Sequence, residues 1–123
     1  MIKIIDNRGT GKTYKLCQYA IENNCDILVP TSHSIMYILK LLEEIAEKDA
    51  NGIVGIIKYK NGAEFVYSDK YYRSYAINIM TPDSLKQSRP SERKLVVDEA
   101  ERVLAYMLAP YVYSYDGFTM SKE

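Results

Sequence analysis

Tryptophan is absent from this chain of 123 residues, and cysteine, histidine and proline are scarce. The two cysteines, Cys17 and Cys25, lack the Cys-x-x-Cys spacing of metal and redox sites, so we expect free thiols in a reducing compartment. Long hydrophobic runs are also missing. The most apolar stretch, residues 35–46, contains one lysine and two glutamates, which excludes a membrane span. The start, MIKIID, is too short and too soon acidic for a signal peptide, which predicts a cytoplasmic protein.

Neither sign of charge dominates, since 16 basic residues balance 16 acidic residues. The net charge therefore gives no evidence for or against a nucleic-acid partner, and only a local patch of basic residues could indicate one. A chain of this length predicts one domain, residues 1–123, with a core of its own. Tyrosine is abundant by contrast, with twelve copies against two phenylalanines.

Short apolar runs alternate with amphipathic segments in the first part of the chain. Residues 2–5 and 26–30 have the composition of buried strands, and helices are predicted over 12–23 and from Thr31 or Ser32 to about residue 48. This alternation predicts a parallel sheet. The predicted buried helix positions are Leu16, Cys17, Ala20 and Ile21, then Ile35, Leu39, Leu42 and Ile45 or Ala46.

The middle of the chain predicts a β-hairpin, because an Asn-Gly turn at residues 61–62 separates two alternating runs. With the tyrosine-rich segment that follows, it has the character of an insertion, about residues 53–75, into the α/β frame. The elements expected next are a strand over 75–80, a short helix over 81–87, a strand running into a helix over 94–108, and a strand near 115–121.

Residues 6–13, DNRGTGKT, nearly match the phosphate-binding loop G-x-x-x-x-G-K-[ST], with Asp6 in place of the first glycine. Such a loop turns backbone N–H groups towards phosphate and leads into a helix N-terminus of partial positive charge. Lys12 would reach the β- and γ-phosphates, and the Thr13 hydroxyl would bind Mg²⁺. A chance glycine turn is the alternative. The predicted nucleotide-binding residues are Asn7, Arg8, Gly9, Thr10, Gly11, Lys12 and Thr13.

A second motif, KLVVDEAE, places Asp98 and Glu99 directly after an apolar run. A parallel strand would deliver both acids to the carboxyl edge of the sheet, where the first strand also delivers its loop. Asp98 would then hold Mg²⁺, and Glu99 would orient and polarise the attacking water. Alternatively, the two acids only cap the helix that follows.

Five segments together, in chain order, resemble motifs of the first RecA-like domain of superfamily 2, DEAD-box-like helicases: DNRGTGKT, DILVPTSHSI, INIMTPDSL, KLVVDEAERVL and GFTMS. The resemblance implies a single P-loop NTPase domain that uses ATP and Mg²⁺. The expected fold is α/β, with a mostly parallel sheet, helices on both faces and the hairpin as an insertion. The roles implied are catalysis for Lys12, Glu99 and Thr119, nucleotide sensing for Thr119 and Ser121, and contact with a nucleic-acid backbone for Pro30, Thr31, Thr81 and Pro82.

Three departures from this family stand out. Asp6 replaces the glycine or alanine that begins the loop, and Glu101 replaces the final acid of the Asp-Glu-Ala-Asp signature. The second RecA-like domain, which carries the arginine fingers, does not follow the last motif. We therefore expect something less than a complete helicase, with Arg73, Arg89 and Arg93 as candidate fingers in cis or across an oligomer, or else as surface arginines.

The tyrosine-rich segment predicts a nucleic-acid interface at Tyr71, Tyr72 and Arg73. Between residues 58 and 75 four basic residues outnumber two acidic ones, and rings among basic side chains can stack on bases. Equally, these tyrosines could cover a half-buried sheet face or form a protein-interaction surface.

The predicted function is binding of ATP with Mg²⁺ and slow ATP hydrolysis, linked to nucleic-acid processing, as in small accessory NTPases of phage or mobile elements. The predicted partners are single-stranded nucleic acid or a protein that supplies an arginine finger, and no membrane. Two alternatives stay open: a nucleotide-binding or degenerate P-loop module that regulates another protein without turnover, and a small-molecule phosphotransferase.

Overall fold

A computed structural model describes residues 11–48, 52–68, 73–89, 91–112 and 116. The predicted strands at residues 2–5 and 115–121 therefore lie almost wholly outside the described residues. The helices are α1 (Lys12–Asn23), α2 (His33–Lys48), α3 (Pro82–Gln87) and α4 (Ala100–Leu108). The strands are β1 (Asp26–Leu28), β2 (Ile53–Tyr59), β3 (Gly62–Tyr67), β4 (Ser74–Met80) and β5 (Leu95–Val97).

The five described strands form one mixed sheet in the order β2-β3-β4-β1-β5. Strand β1 pairs in parallel with β4 and β5, so that Ile27 lies beside Ile79 on one side and Val96 on the other. Strand β3 pairs antiparallel with both β2 and β4. The expected mostly parallel, RecA-like sheet is therefore wrong.

The hairpin is the reason for the difference. The sequence predicts an insertion into the α/β frame, but β3 pairs with β4 along its length and makes the hairpin one side of the sheet. Gly62 permits this approach, since a Cβ at that position would lie 2.6 Å from the backbone oxygen of Ile77. The short connection from β3 to β4 also requires an antiparallel pair, because a parallel pair needs a crossover of a dozen or more residues.

The main core lies between helices α1 and α2 and one face of the sheet. Phe65 of β3 and Ile77 and Ile79 of β4 pack there with the apolar sides of both helices. The predicted buried positions of α1 and α2 are confirmed. Helices α3 and α4 contact each other and add no residue to this core, and α3 contacts β4. Within the described ranges, no helix is long and apolar enough to cross a membrane.

Strands β1, β4 and β5 run in the same direction and so share two edges. We call the edge where they end the carboxyl edge, and the edge where they begin the amino edge. Asp98 follows β5 at the carboxyl edge, and its backbone N–H donates to the Leu28 carbonyl at the end of β1, with N···O 2.9 Å. Asp26 begins β1 at the amino edge.

A partly buried ion pair joins the strands near the amino edge. Arg93 Nε donates to Asp26 Oδ2 at 3.0 Å, and its Nη2 lies 3.0 Å from Asp26 Oδ1 and donates to the Ala76 carbonyl at 2.8 Å. The Asn78 backbone N–H donates to the same carboxylate at 3.0 Å. This pair connects the segment before β5 to β1 and β4.

Candidate functional site

Gly11 is the N-cap residue of α1 and adopts a left-handed conformation with φ +82°. Glycine has no Cβ to resist that conformation, which turns the chain sharply into the helix. Because glycine has no side chain, Gly11 makes no side-chain cap hydrogen bond to this helix. The first backbone N–H groups of an α-helix have no acceptor within the helix, and an anion is a partner that a helix N-terminus favours. Lys12, the first residue of α1, is exposed beside them.

The two predicted metal ligands lie together. Thr13 Oγ1, in the first turn of α1, donates a hydrogen bond to Asp98 Oδ1 at 3.2 Å. These residues are 85 positions apart in the chain, so the sheet brings the two motifs to one place. The start of α1 and the acidic strand end therefore meet at this pair of residues.

Asp98 is a buried carboxylate, with only 7% of the residue exposed. Burial raises the pKa of Asp98, and the charge of Glu99 raises it further, whereas the Thr13 hydrogen bond and the Lys12 charge lower it. The protein therefore compensates the charge of this carboxylate only in part. A cation at this position would offset the remaining cost.

Mg²⁺ fits the donor set, because a hydroxyl and a carboxylate oxygen are the hard ligands that this ion takes. Thr13 and Asp98 would hold it. In the described part of the chain there is no group of three or more His, Cys, Asp and Glu side chains that could hold a metal ion. Water and phosphate oxygens would have to complete the coordination, as is usual for Mg²⁺ with nucleotides.

Glu99 lies at the N-cap position of α4 in a left-handed conformation, with φ +51° and ψ +57°. Such a backbone costs a non-glycine residue about 1–2 kcal/mol. The Glu99 side chain makes no cap hydrogen bond, which argues against a purely capping role. Its Oε2 instead accepts from Arg102 Nη1 at 2.9 Å.

Arg102 is a residue of the site that the motifs did not predict. Its hydrogen bond and charge interaction with Glu99 raise the pKa of Arg102. The spacing of three residues at the start of a helix, which places two side chains on one face, is the pattern that could have indicated this contact.

Cys17 lies one turn after Thr13 and is fully buried. Burial, with a smaller effect from the Asp98 charge, raises the pKa of Cys17 to about 12. The thiol therefore stays protonated and is a poor metal ligand. Cys17 and Cys25 are both free, as predicted from their spacing, and both are buried.

The predicted nucleic-acid contacts are divided between the two edges of the sheet. Thr31 follows β1 and Thr81 follows β4, so both lie at the carboxyl edge with Asp98. Thr81 Oγ1 already caps α3, where it accepts from the Ser84 backbone N–H at 3.3 Å. Arg73 precedes β4 and lies at the amino edge. Among the described residues, Thr31, Thr81 and Arg73 therefore do not form one continuous surface.

Two of the three candidate arginine fingers lie away from the site. Arg93 is held by Asp26, and the strand between Arg93 and Asp98 spans roughly 15 Å. Arg73 lies at the same amino edge, and Arg89 follows the short helix α3. Neither Arg73 nor Arg93 can therefore act in cis as the fold stands. The predicted site residues outside the described ranges are Asn7, Arg8, Gly9, Thr10, Tyr71, Tyr72, Thr119 and Ser121.

Comparison with known proteins returns no match: no family model, no curated protein and no solved structure is significantly similar to this chain. The case for a function therefore depends on the residues of the site.

Proposed function

We propose that this protein binds ATP with Mg²⁺ at the carboxyl edge of its sheet and hydrolyses it slowly. The observation that carries the proposal is the hydrogen bond from Thr13 Oγ1 to Asp98 Oδ1. It puts a hydroxyl at a helix N-terminus in contact with a buried carboxylate at a strand end. The proposal concerns this site and makes no claim of a RecA-like sheet.

The site has complementary parts for a metal-bound phosphate. The N-terminus of α1 and the exposed Lys12 attract anionic oxygens, while the buried Asp98 attracts a cation. Thr13 lies between these parts and can contact a metal ion through its oxygen. When bound, Mg²⁺ supplies charge neutralisation to the phosphate oxygens. Binding an anion alone would leave the cost of burying Asp98 unrelieved, so we expect ATP and Mg²⁺ to bind together.

Glu99 is the residue that we propose for the chemical step. A water that donates a hydrogen bond to its carboxylate would attack the γ-phosphorus, the bond to the β–γ bridging oxygen would break, and ADP would leave. The proton of the water would pass to Glu99 and then to the released phosphate. An arginine finger adds on the order of 10³- to 10⁵-fold. Since Arg73 and Arg93 are placed elsewhere, we expect slow turnover unless a partner or a second copy supplies one.

A regulatory module without turnover is the second candidate. The ion pair between Glu99 and Arg102 favours it, because the guanidinium, 2.9 Å from Glu99 Oε2, already occupies a carboxylate oxygen that a water would need as its acceptor. In that case nucleotide binding would change the contacts of this protein with another protein, and no phosphate would be released.

Calorimetry with ATP in the presence and absence of Mg²⁺ tests the binding. Lys12→Ala should weaken Mg²⁺-ATP binding at least about 100-fold, a loss of about 2.7 kcal/mol. The control is Lys40→Ala, an exposed lysine on α2, which should bind as the wild type does. Equal affinity in both variants and the wild type would contradict the proposal.

Phosphate release separates the two candidates. Glu99→Gln keeps the shape of the side chain and removes the base, so it should bind ATP and release less phosphate than the wild type. If the wild type binds ATP and releases none, even at high protein concentration and with nucleic acid added, the regulatory module is the correct candidate.

A further inference from the structure

A cavity of about 450 Å³ lies at the amino edge, away from the candidate nucleotide site. This volume is in the range of small-molecule sites. Its walls come from the end of α1, the end of β3 and the start of β4. The residues used below are Ile21, Glu22, Asn24, Tyr67, Arg73 and Tyr75. We call it the amino-edge pocket.

Helix α1 separates the amino-edge pocket from the candidate nucleotide site. Lys12 and Thr13 begin the helix, whereas Glu22 and Asn24 lie at its end. The twelve residues of α1 span about 18 Å at 1.5 Å per residue. One mononucleotide cannot occupy both places, so a ligand of this pocket is a different molecule from a mononucleotide at the candidate nucleotide site.

Two tyrosines and an arginine form the aromatic side of the pocket. The rings of Tyr67 and Tyr75 meet edge to face, with centroids 5.5 Å apart and planes at 76°. Arg73 Cζ lies over the Tyr75 ring, 6.0 Å from its centroid. For a flat ring to stack between Arg73 and Tyr75, the guanidinium and the tyrosine ring must be about 7 Å apart, which is two contact distances of about 3.5 Å. Arg73 is exposed and Tyr75 is 36% exposed. An outward shift of about 1 Å by Arg73 would therefore make room for a flat ring between the two side chains.

The polar groups of the pocket suit the rest of a nucleotide. The Arg73 guanidinium matches a phosphate, with which arginine forms paired hydrogen bonds. The Glu22 carboxylate accepts hydrogen bonds, as a base with an exocyclic amino group requires. Asn24 Oδ1 accepts from Arg93 Nη2 at 3.3 Å, which leaves the NH₂ group of the same amide as a donor. Ile21 is buried and supplies an apolar wall.

We propose that the amino-edge pocket binds one unpaired nucleotide, with its base on the Tyr75 ring and its phosphate on Arg73. Adenine, guanine and cytosine carry an exocyclic amino group for Glu22, whereas thymine and uracil do not. The nucleotide could be a free mononucleotide or part of a single strand, since both present the same chemistry.

The test uses the Lys12→Ala variant throughout, so that binding at the candidate ATP site does not contribute to the signal. The outcome for the amino-edge pocket is then separate from the outcome for the proposed ATP site. CMP binding is measured by calorimetry, and binding of labelled single-stranded hexamers of deoxycytidine and thymidine by fluorescence anisotropy at low salt. Binding of CMP indicates a free mononucleotide, and binding of the hexamer alone indicates a single strand. No binding of either ligand would overturn the proposal.

Variants then locate the ligand. Tyr75→Ala should weaken binding about 5- to 150-fold, the loss expected for one stacked base, while Tyr75→Phe keeps the ring and should bind as before. Should Tyr75→Ala not fold, Tyr75→Leu removes the ring and keeps apolar bulk. Arg73→Gln should reduce the log–log salt slope by about 0.7, the value for one phosphate contact. Glu22→Gln should narrow the preference for deoxycytidine over thymidine. Unchanged binding in the Tyr75 variant that folds and in Arg73→Gln would overturn the proposal.

Discussion

Removing Arg93 should destabilise the protein by about 3 kcal/mol. Breaking a buried ion pair at one partner costs about 3–5 kcal/mol, because the other charge is left buried and unpaired. Asp26 is only 6% exposed, and without Arg93 the donors left to it among the described residues are the backbone and side-chain nitrogens of Asn78, at 3.0 and 3.4 Å. The Arg93 side chain is 35% exposed, so water can partly replace it. We therefore take the lower end of the range for Arg93→Ala.

Urea denaturation followed by far-ultraviolet circular dichroism measures this loss. Arg89→Ala is the control, since an exposed arginine away from such a pair should change stability by no more than about 0.5 kcal/mol. The double variant Asp26→Asn, Arg93→Ala should be more stable than Arg93→Ala alone, because no unpaired charge is then buried. A loss below about 1 kcal/mol for Arg93→Ala, or a double variant less stable than that single one, would refute the reasoning.

Three further outcomes follow from the described contacts. Gly62→Ala should lower the free energy of unfolding by about 2–3 kcal/mol in urea denaturation, because its Cβ would lie 2.6 Å from the Ile77 oxygen. Asp98→Asn should raise the melting temperature at pH 7 without Mg²⁺. Because the folded-state pKa of Asp98 is raised above 3.8, charging this group costs stability, so the advantage should shrink as the pH falls through that pKa towards 3.8. The thiol of Cys17, whose pKa is raised to about 12, should react with a thiol reagent at pH 8 only after unfolding; rapid labelling of the native protein would contradict this.

The site was easier to predict than the sheet. Each of its two motifs is local: the glycine-lysine-threonine turn leads into α1, and the acidic pair follows β5. The two motifs meet if each one lies at the carboxyl edge of the sheet, either at the end of a parallel strand or in a loop at that edge. The bond between Thr13 and Asp98 is that meeting. The spacing of apolar residues similarly predicts which sides of α1 and α2 are buried, because this pattern is contained within the sequence of each helix.

The sheet could not be predicted in the same way. The Asn-Gly turn correctly indicated that β2 and β3 pair, but a turn does not specify which strand lies on the other side of the hairpin. That choice depends on long-range contacts such as the close approach of Gly62 to β4. The ion pair of Asp26 and Arg93 could not be predicted from the sequence for the same reason, since 67 positions separate the two residues and neither belongs to a motif that indicates this contact.

The most direct test of the candidate site is whether Thr13 and Asp98 act together in binding Mg²⁺-ATP. A double-mutant cycle of Thr13→Val and Asp98→Asn, measured by calorimetry with ATP and Mg²⁺, gives their coupling. Thr31→Val, at the same edge, is the control and should leave the affinity unchanged. If the two oxygens hold one ion, the losses should be non-additive by at least about 1 kcal/mol. Additive losses, or wild-type affinity in both single variants, would contradict the account.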